Sequence, residues 1–202
     1  MTLSLGVTFD YLCPWARNVN EHVAAGLRAG ADWNVRFVPF SLRQGKVDEG
    51  ETPVWELDDP DATPGVLALK IGITVRDEHP EQFLDVHEAL FAVRHERGLD
   101  NRDPEVLAAV LSDHGVDADA VMAVARDGAT TKRLREEHER AVADHDVWGV
   151  PTLIGRDRSV FVRVLDRPEG DADRARGRVE QLMDLVDSAV ELHEFKTTVL
   201  DR

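Results

Sequence analysis

Residues Leu3 to Phe9 alternate apolar with small or polar side chains and stop at Asp10, which predicts a short strand. Ala16, Val19, Val23 and Leu27 then recur at helical spacing between Cys13 and Ala29, and Gly30 follows as a C-terminal stop. Trp33 to Phe40 is rich in aromatic and β-branched residues and predicts a second strand ending around Pro39. Strand, helix and strand in this order make a βαβ unit when the crossover takes its usual right hand.

Ser41 to Pro64 hold three of the nine prolines and several Asp and Glu with no clear period, which predicts an irregular connection. Helical patterns follow. Val66 to Ile73 forms a short one, and His79 to Arg97 a stronger one with Phe83, Val86, Leu90 and Phe91 on one face. Asp103-Pro104 is an N-cap with proline in the first turn; Val106, Leu107, Val110 and Leu111 face inward, and Gly115 ends the helix. Asp117 to Asp127 predicts another short helix stopped by Gly128, and Thr130 or Thr131 opens the next, running to about Asp146. Past Trp148 the period changes. Pro151 to Ile154 and Ser159 to Val164 read as a hairpin turning through Gly155 to Arg158. A last helix starts near Asp171 with Val179, Leu182, Met183 and Val186 on one stripe, and Glu191 to Arg202 has no assignment.

The order is β-α-β, a helical block, then β-β-α. This is the α/β pattern of a thioredoxin-like fold with an inserted all-helical subdomain. Residues 1–40 and 148–202 would form the thioredoxin-like domain, and 41–147 the connection and helical insertion. A length of 202 residues suits one domain carrying a large insertion, and 43% hydrophobic residues suffice for a sizeable core. The net charge of −15 repels phosphate backbones and anionic lipid, which argues against nucleic acid as a partner. Met1 to Asp10 carries no basic or sustained apolar signal region, and no apolar run reaches membrane-spanning length, so the expectation is a soluble cytoplasmic protein.

A single cysteine changes the picture. It excludes an internal disulfide and any zinc site built on two cysteines of one chain. It also stands in Asp10-Tyr11-Leu12-Cys13-Pro14-Trp15-Ala16, where a strand gives way to a helix. Free N–H groups and the helix dipole at that position favour a thiolate, so a lowered pKa and a reactive sulfur are expected. Pro14 suits the first turn, and Trp15 offers an apolar cover. A lone cysteine elsewhere would more often be a small buried hydrophobe; this junction reverses the balance. A second feature, Trp148-Gly149-Val150-Pro151-Thr152, precedes the third strand.

Other polar clusters read as structure. His138 and His145, seven apart on a helix, are read as partly buried with backbone partners, since a metal site would need a third ligand. His87 and His95, eight apart, are read as surface residues. Asp58-Asp59-Pro60-Asp61 lacks the alternation of a calcium loop and reads as a solvated turn. Gly6, Gly26 and Gly30 make no phosphate-binding pattern. Arg133, Arg135, Glu136, Glu137, Glu139 and Arg140 read as a solvated face laced with ion pairs.

Together the two motifs resemble the DsbA-like branch of the thioredoxin superfamily, in particular its FrnE-like members. That family carries Cys-Pro-Trp-Cys or a relative at the start of its first helix. It also has a mid-chain helical insertion and a Gly-Val-Pro-Thr loop with a cis Val-Pro peptide. The resemblance covers nearly the whole chain through Cys13-Pro14-Trp15 and Gly149-Val150-Pro151-Thr152. Phe161 to Arg167 and the tail Glu194-Phe195-Lys196 are similar to mycothiol-dependent reductases of actinobacteria. The resemblance implies a thiol-disulfide oxidoreductase with Cys13 as nucleophile. Val150, Pro151 and Thr152 would shape the thiol or substrate site, and homodimers are common among relatives. The chain departs from the family at Ala16, where dithiol members have their second cysteine. A mixed disulfide on Cys13 would then be released by an external thiol of the mycothiol or glutathione type, acting as co-substrate without a tightly bound cofactor. Two alternatives remain open. One is an enzyme like the kappa-class glutathione transferases or 2-hydroxychromene-2-carboxylate isomerases, which usually have serine at the Cys13 position. The other is a non-catalytic binding module.

Overall fold

The computed structural model describes residues 2–164, 166–194 and 196. Of the strings matched above to mycothiol-dependent reductases, Leu165 and Phe195 lie outside the described residues, as do Met1 and residues 197–202. Four strands form one sheet: β1 (Leu3–Phe9), β2 (Trp33–Pro39), β3 (Thr152–Ile154) and β4 (Ser159–Phe161), in the order β2-β1-β3-β4. β1 and β2 run parallel from Leu3 opposite Trp33 to Phe9 opposite Pro39, joined through α1 (Pro14–Arg28). β3 pairs antiparallel with β1, and β4 with β3. Between β2 and β3 lie α2 (Val66–Glu78), α3 (Phe83–His95), α4 (Pro104–Asp113), α5 (Ala118–Ala125) and α6 (Gly128–His145). α7 (Ala172–Ser188) closes the chain against α1. The α/β thioredoxin-like fold with its helical insertion is therefore present.

The alternation in β1 suggests one buried face, but the strand is buried on both faces from Leu5 onward. It is a central strand with neighbours on each side, and such strands are covered above and below. Gly6 in β1 lies opposite Ile154 of β3, where an added Cβ would come within 3.0 Å of the Ile154 Cβ. α1 likewise exceeds its apolar stripe. It packs against α7 and α3, so Arg17, Asn18, Asn20, Glu21 and His22 are buried along with Val19 and Val23. The charged members are paired rather than stranded. Arg17 binds Glu21 at 2.8 Å and also Glu96, while Arg167 reaches Glu21 at 2.6 Å and Glu96 at 2.8 Å.

Caps set most helix starts. Asp103, Asp117 and Asp171 accept hydrogen bonds from Glu105, Ala120 and Arg174 N–H groups. Gly128 does not stop a helix and leave Thr130 to open the next. It is the first residue of α6, because Asp127 caps that helix through the Ala129 N–H. α2 runs on to Glu78, past the Ile73 expected from the pattern. The Ser41 to Pro64 connection holds three 3-10 turns, Gln44–Lys46, Val54–Glu56 and Pro60–Ala62. Asp61 is not simply solvated: it pairs at 2.8 Å with Lys70, which is almost wholly buried in α2. One apolar cluster runs from Leu5, Val7 and Phe9 through α2 and α3 to Leu107 and Leu111. Among the described residues, no helix is long and apolar enough to cross a membrane.

Candidate active site

Cys13 is the N-cap of α1, with extended backbone, and Pro14 fills the first helical position. The sulfur does what an oxygen does at an ordinary cap: Sγ accepts from the Ala16 N–H at 3.4 Å. Sγ–H donates in turn to the Val150 carbonyl, also at 3.4 Å. The structure thus brings Cys13 and the Val150–Thr152 segment together across 137 residues of chain. The Val150–Pro151 peptide is cis. Thr152 pins this loop twice. Its N–H donates to Thr8 Oγ1 at 2.7 Å, and its hydroxyl donates to the Gly149 carbonyl at 2.8 Å. Trp15 is half-buried beside the cysteine, Pro14 is exposed, and Ala16 is fully buried.

The electrostatics overturn one expectation. Cys13 is only 7% exposed, and burial pushes its thiol above the usual cysteine value. The Ala16 and Trp15 N–H groups pull the other way without winning, Asp10 adds to the rise, and Arg163 opposes it. Removing water from a thiolate costs more here than two backbone donors return. Asp10 is itself buried, and burial raises its carboxyl to about 6 despite hydrogen bonds from the Leu12 N–H at 2.9 Å and the Leu42 N–H at 2.7 Å.

On the other side of the turn a polar chain runs into the helical block. Tyr11 O–H donates to His87 Nδ1 at 2.8 Å, and His87 Nε2 lies 3.1 Å from Asn20 Oδ1. The tautomer follows from Asn20, whose amide nitrogen donates to the Ala16 carbonyl at 2.8 Å and leaves Oδ1 to accept from His87. His95 Nε2–H donates to the Tyr11 carbonyl at 3.0 Å. His87 and His95 are therefore not surface residues. His87 is fully buried among Phe9, Phe37, Phe83 and Phe91, and burial lowers it to about 3, so it stays neutral. Its place was readable, since it lies four residues from both Phe83 and Phe91 on the apolar face of α3. Gly72 of α2 makes the room, because a Cβ there would meet the Tyr11 hydroxyl at 2.4 Å.

His138 is buried against Phe40 and accepts from the Ser41 N–H at 3.2 Å, whereas His145 lies 3.1 Å from an Arg36 nitrogen. The Arg135–Glu139 pair at 2.8 Å and the Arg133–Glu137 pair at 3.4 Å lie along α6, but Glu137 also binds Arg76 across to α2 at 2.6 Å. Among the described residues, no three of His, Cys, Asp and Glu gather as metal ligands.

In chemical terms the site offers one protected thiol with a donor N–H on one side and an acceptor carbonyl on the other. Comparison with known proteins places the chain as a whole. The DSBA-like thioredoxin domain family matches residues 5–170. The uncharacterized protein Rv2286c of Mycobacterium tuberculosis is 32% identical over 168 residues, which are 81% of this chain and 70% of that protein. Among solved structures, a 2-hydroxychromene-2-carboxylate isomerase superposes with a TM-score of 0.63 at 18% identity, covering 91% of this chain and 99% of the other. The oxidoreductase NmDsbA1 of Neisseria meningitidis gives 0.60 at 15% identity, covering 95% and 86%. The thiol-disulfide oxidoreductase MdbA of Actinomyces oris gives 0.60 at 19%, covering 87% and 81%. At these identities the structures speak for the fold alone. The match over residues 5–170 settles the family: the chain belongs to the DSBA-like thioredoxin domain family.

Proposed function

We propose that this protein is a thiol-disulfide oxidoreductase that works through one cysteine and an external low-molecular-weight thiol of the mycothiol or glutathione type. The observation that carries the reading is the seat of Cys13 Sγ between the Ala16 N–H and the Val150 carbonyl, with Ala16 itself at the place of a resolving thiol. The Cys13 thiolate attacks one sulfur of a disulfide. A protein–small-thiol disulfide forms, the original S–S bond breaks, and the leaving thiolate takes up a proton. A second small thiolate then attacks the mixed disulfide, giving a new small disulfide and regenerating Cys13. The Ala16 N–H stabilises the sulfur anion at both ends of the cycle.

Because burial raises the Cys13 pKa, the thiolate fraction at neutral pH is small and grows about tenfold per pH unit. Incubation with mycothiol or glutathione disulfide from pH 6 to 10, read by intact mass, is expected to give one adduct with that slope. Free thiol should remove the adduct, and Cys13→Ser should prevent it. A native fold with no adduct at pH 9 defeats the reading.

A second reading draws on the donor role of the thiol. Cys13 S–H, held protonated by burial and pointed at a carbonyl, is also suited to donate a hydrogen bond to the sulfur of a bound thiol cofactor, as in an isomerase or transferase. There Cys13→Ser keeps much of the activity, whereas the first reading requires its loss.

A further inference from the structure

The loop that meets Cys13 carries a feature the thiol chemistry leaves unused. Trp148 is 71% exposed, and its ring is stacked on Phe161 with centroids 4.5 Å apart and planes 31° apart. This tilted ring contact favours one orientation of the exposed indole, which lowers the side-chain freedom a ligand must remove. Arg163 lies two residues after Phe161, on the same side of an extended segment, with its guanidinium 5.5 Å from the Phe161 ring centroid. It is exposed and makes no ion pair among the described residues.

The backbone ties this face to the thiol. Phe161 pairs with Thr152 in the β3–β4 ladder, and the Val162 N–H donates to the Pro151 carbonyl at 3.0 Å. Arg163 is thereby set opposite the Val150–Pro151 segment, and its charge is felt at Cys13. In a chain of net charge −15, an exposed cation with no ion-pair partner among the described residues, beside a presented indole, is a local reversal of sign. A ring face selects flat apolar groups, and an exposed guanidinium selects carboxylates. The sheet edge on this side, β4, has only three residues, so an added peptide strand would gain few main-chain hydrogen bonds.

We infer that Trp148, Phe161 and Arg163 form a binding subsite for a small aromatic carboxylate, its ring on Trp148 and its acid group on Arg163, presented to Cys13. This names the substrate class of the same site and rests on the proposed redox reading for its link to catalysis.

Two measurements separate the subsite from that reading. The first is the rate at which Cys13 opens two aryl disulfides at pH 8, dithiobis(nitrobenzoic acid), with a carboxylate on each ring, and the neutral dithiodipyridine. In both, the Cys13 thiolate forms a Cys13–S–S–aryl bond, the aryl S–S bond breaks, and the arylthiolate leaves with the electron pair while the cysteine proton passes to buffer. Arg163→Gln also changes the thiolate fraction, but equally for both reagents, so their rate ratio isolates recognition. The carboxylate reagent is expected to lose about fivefold or more relative to the neutral one. The second is quenching of intrinsic fluorescence in Cys13→Ser protein by naphthoate against naphthylmethanol. Saturable quenching by naphthoate is expected, abolished by Trp148→Phe and weakened by Arg163→Gln. Naphthoate saturation with a Cys13 inert to both disulfides upholds the subsite and sinks the redox reading. An unchanged rate ratio in Arg163→Gln, or naphthylmethanol binding as tightly as naphthoate, overturns the subsite.

Discussion

Tyr11 and Cys13 stand two residues apart and live in opposite surroundings. Tyr11 turns into the helical block, where hydroxyl, imidazole and amide satisfy one another in a closed chain through His87 and Asn20. Cys13 turns toward the Trp148 to Thr152 loop, where its sulfur makes two 3.4 Å hydrogen bonds to backbone groups and the Trp148 ring is open to solvent. One flank is built to hold a position and the other to receive a molecule. Buried polar groups that are fully partnered rigidify a structure, whereas an exposed indole and an exposed guanidinium add little to folding.

The sharpest way to break this contrast is to cut each flank once. His87→Ala removes a buried ring and leaves the Tyr11 hydroxyl and Asn20 Oδ1 without partners, which is expected to cost about 3 kcal/mol or more in urea unfolding. Trp148→Ala is expected to cost about 0.5 kcal/mol or less. Comparable losses would mean that the ring face is structural.

Acid should expose the same asymmetry. His87 and His138, lowered to about 3 and about 4, bind protons in the unfolded chain before the folded one. Stability therefore falls as pH drops below about 6.5. Asp10, raised to about 6, acts in reverse: its folded state binds the proton first, so its share of stability falls as pH rises from about 4 to about 6. Two histidines outweigh one aspartate, and net acid destabilisation is expected between pH 6.5 and 4. Asp10→Asn removes the opposing share and should steepen that loss. A urea midpoint that stays flat over this range would contradict the assignment.

Thr8→Val takes the acceptor from the Thr152 N–H and should cost about 1–2 kcal/mol, since that donor is left buried. The same change is expected to slow Cys13 adduct formation by loosening the loop that carries Val150. Smallest of all, Glu139→Ala removes an exposed pair with Arg135 on α6 and should leave the urea midpoint essentially where it was.

The fold was legible where local chemistry decides. Asp103, Asp117 and Asp171 mark helix starts because a carboxylate satisfies N–H groups within its own turn. Asp127 carries the same signal beside Gly128, and its cap makes that glycine the first residue of α6 rather than a stop. The fold was illegible where a distant neighbour decides. β1 alternates along its sequence yet is buried on both faces because strands flank it and helices cover it. The site divides in the same way. Cys13 and Val150 to Thr152 stand out as motifs, but Thr8 and Asn20 enter through contacts to Thr152 and His87 that no short window contains, and Asp10, inside the Cys13 motif, also reaches Leu42. The thiol pKa went against expectation for a related reason: a helix N-terminus can be read from sequence, whereas the dryness of the sulfur depends on what packs over it.

The hydrogen bond between Tyr11 and His87 spans 76 residues. Until α3 has docked, the Tyr11 hydroxyl lacks this partner, and closing so long a loop is entropically costly. A nascent chain therefore carries its cysteine long before it carries its site. The seat of the thiol is a property of the finished molecule, complete only when Val150, 137 residues further along the chain, is in place.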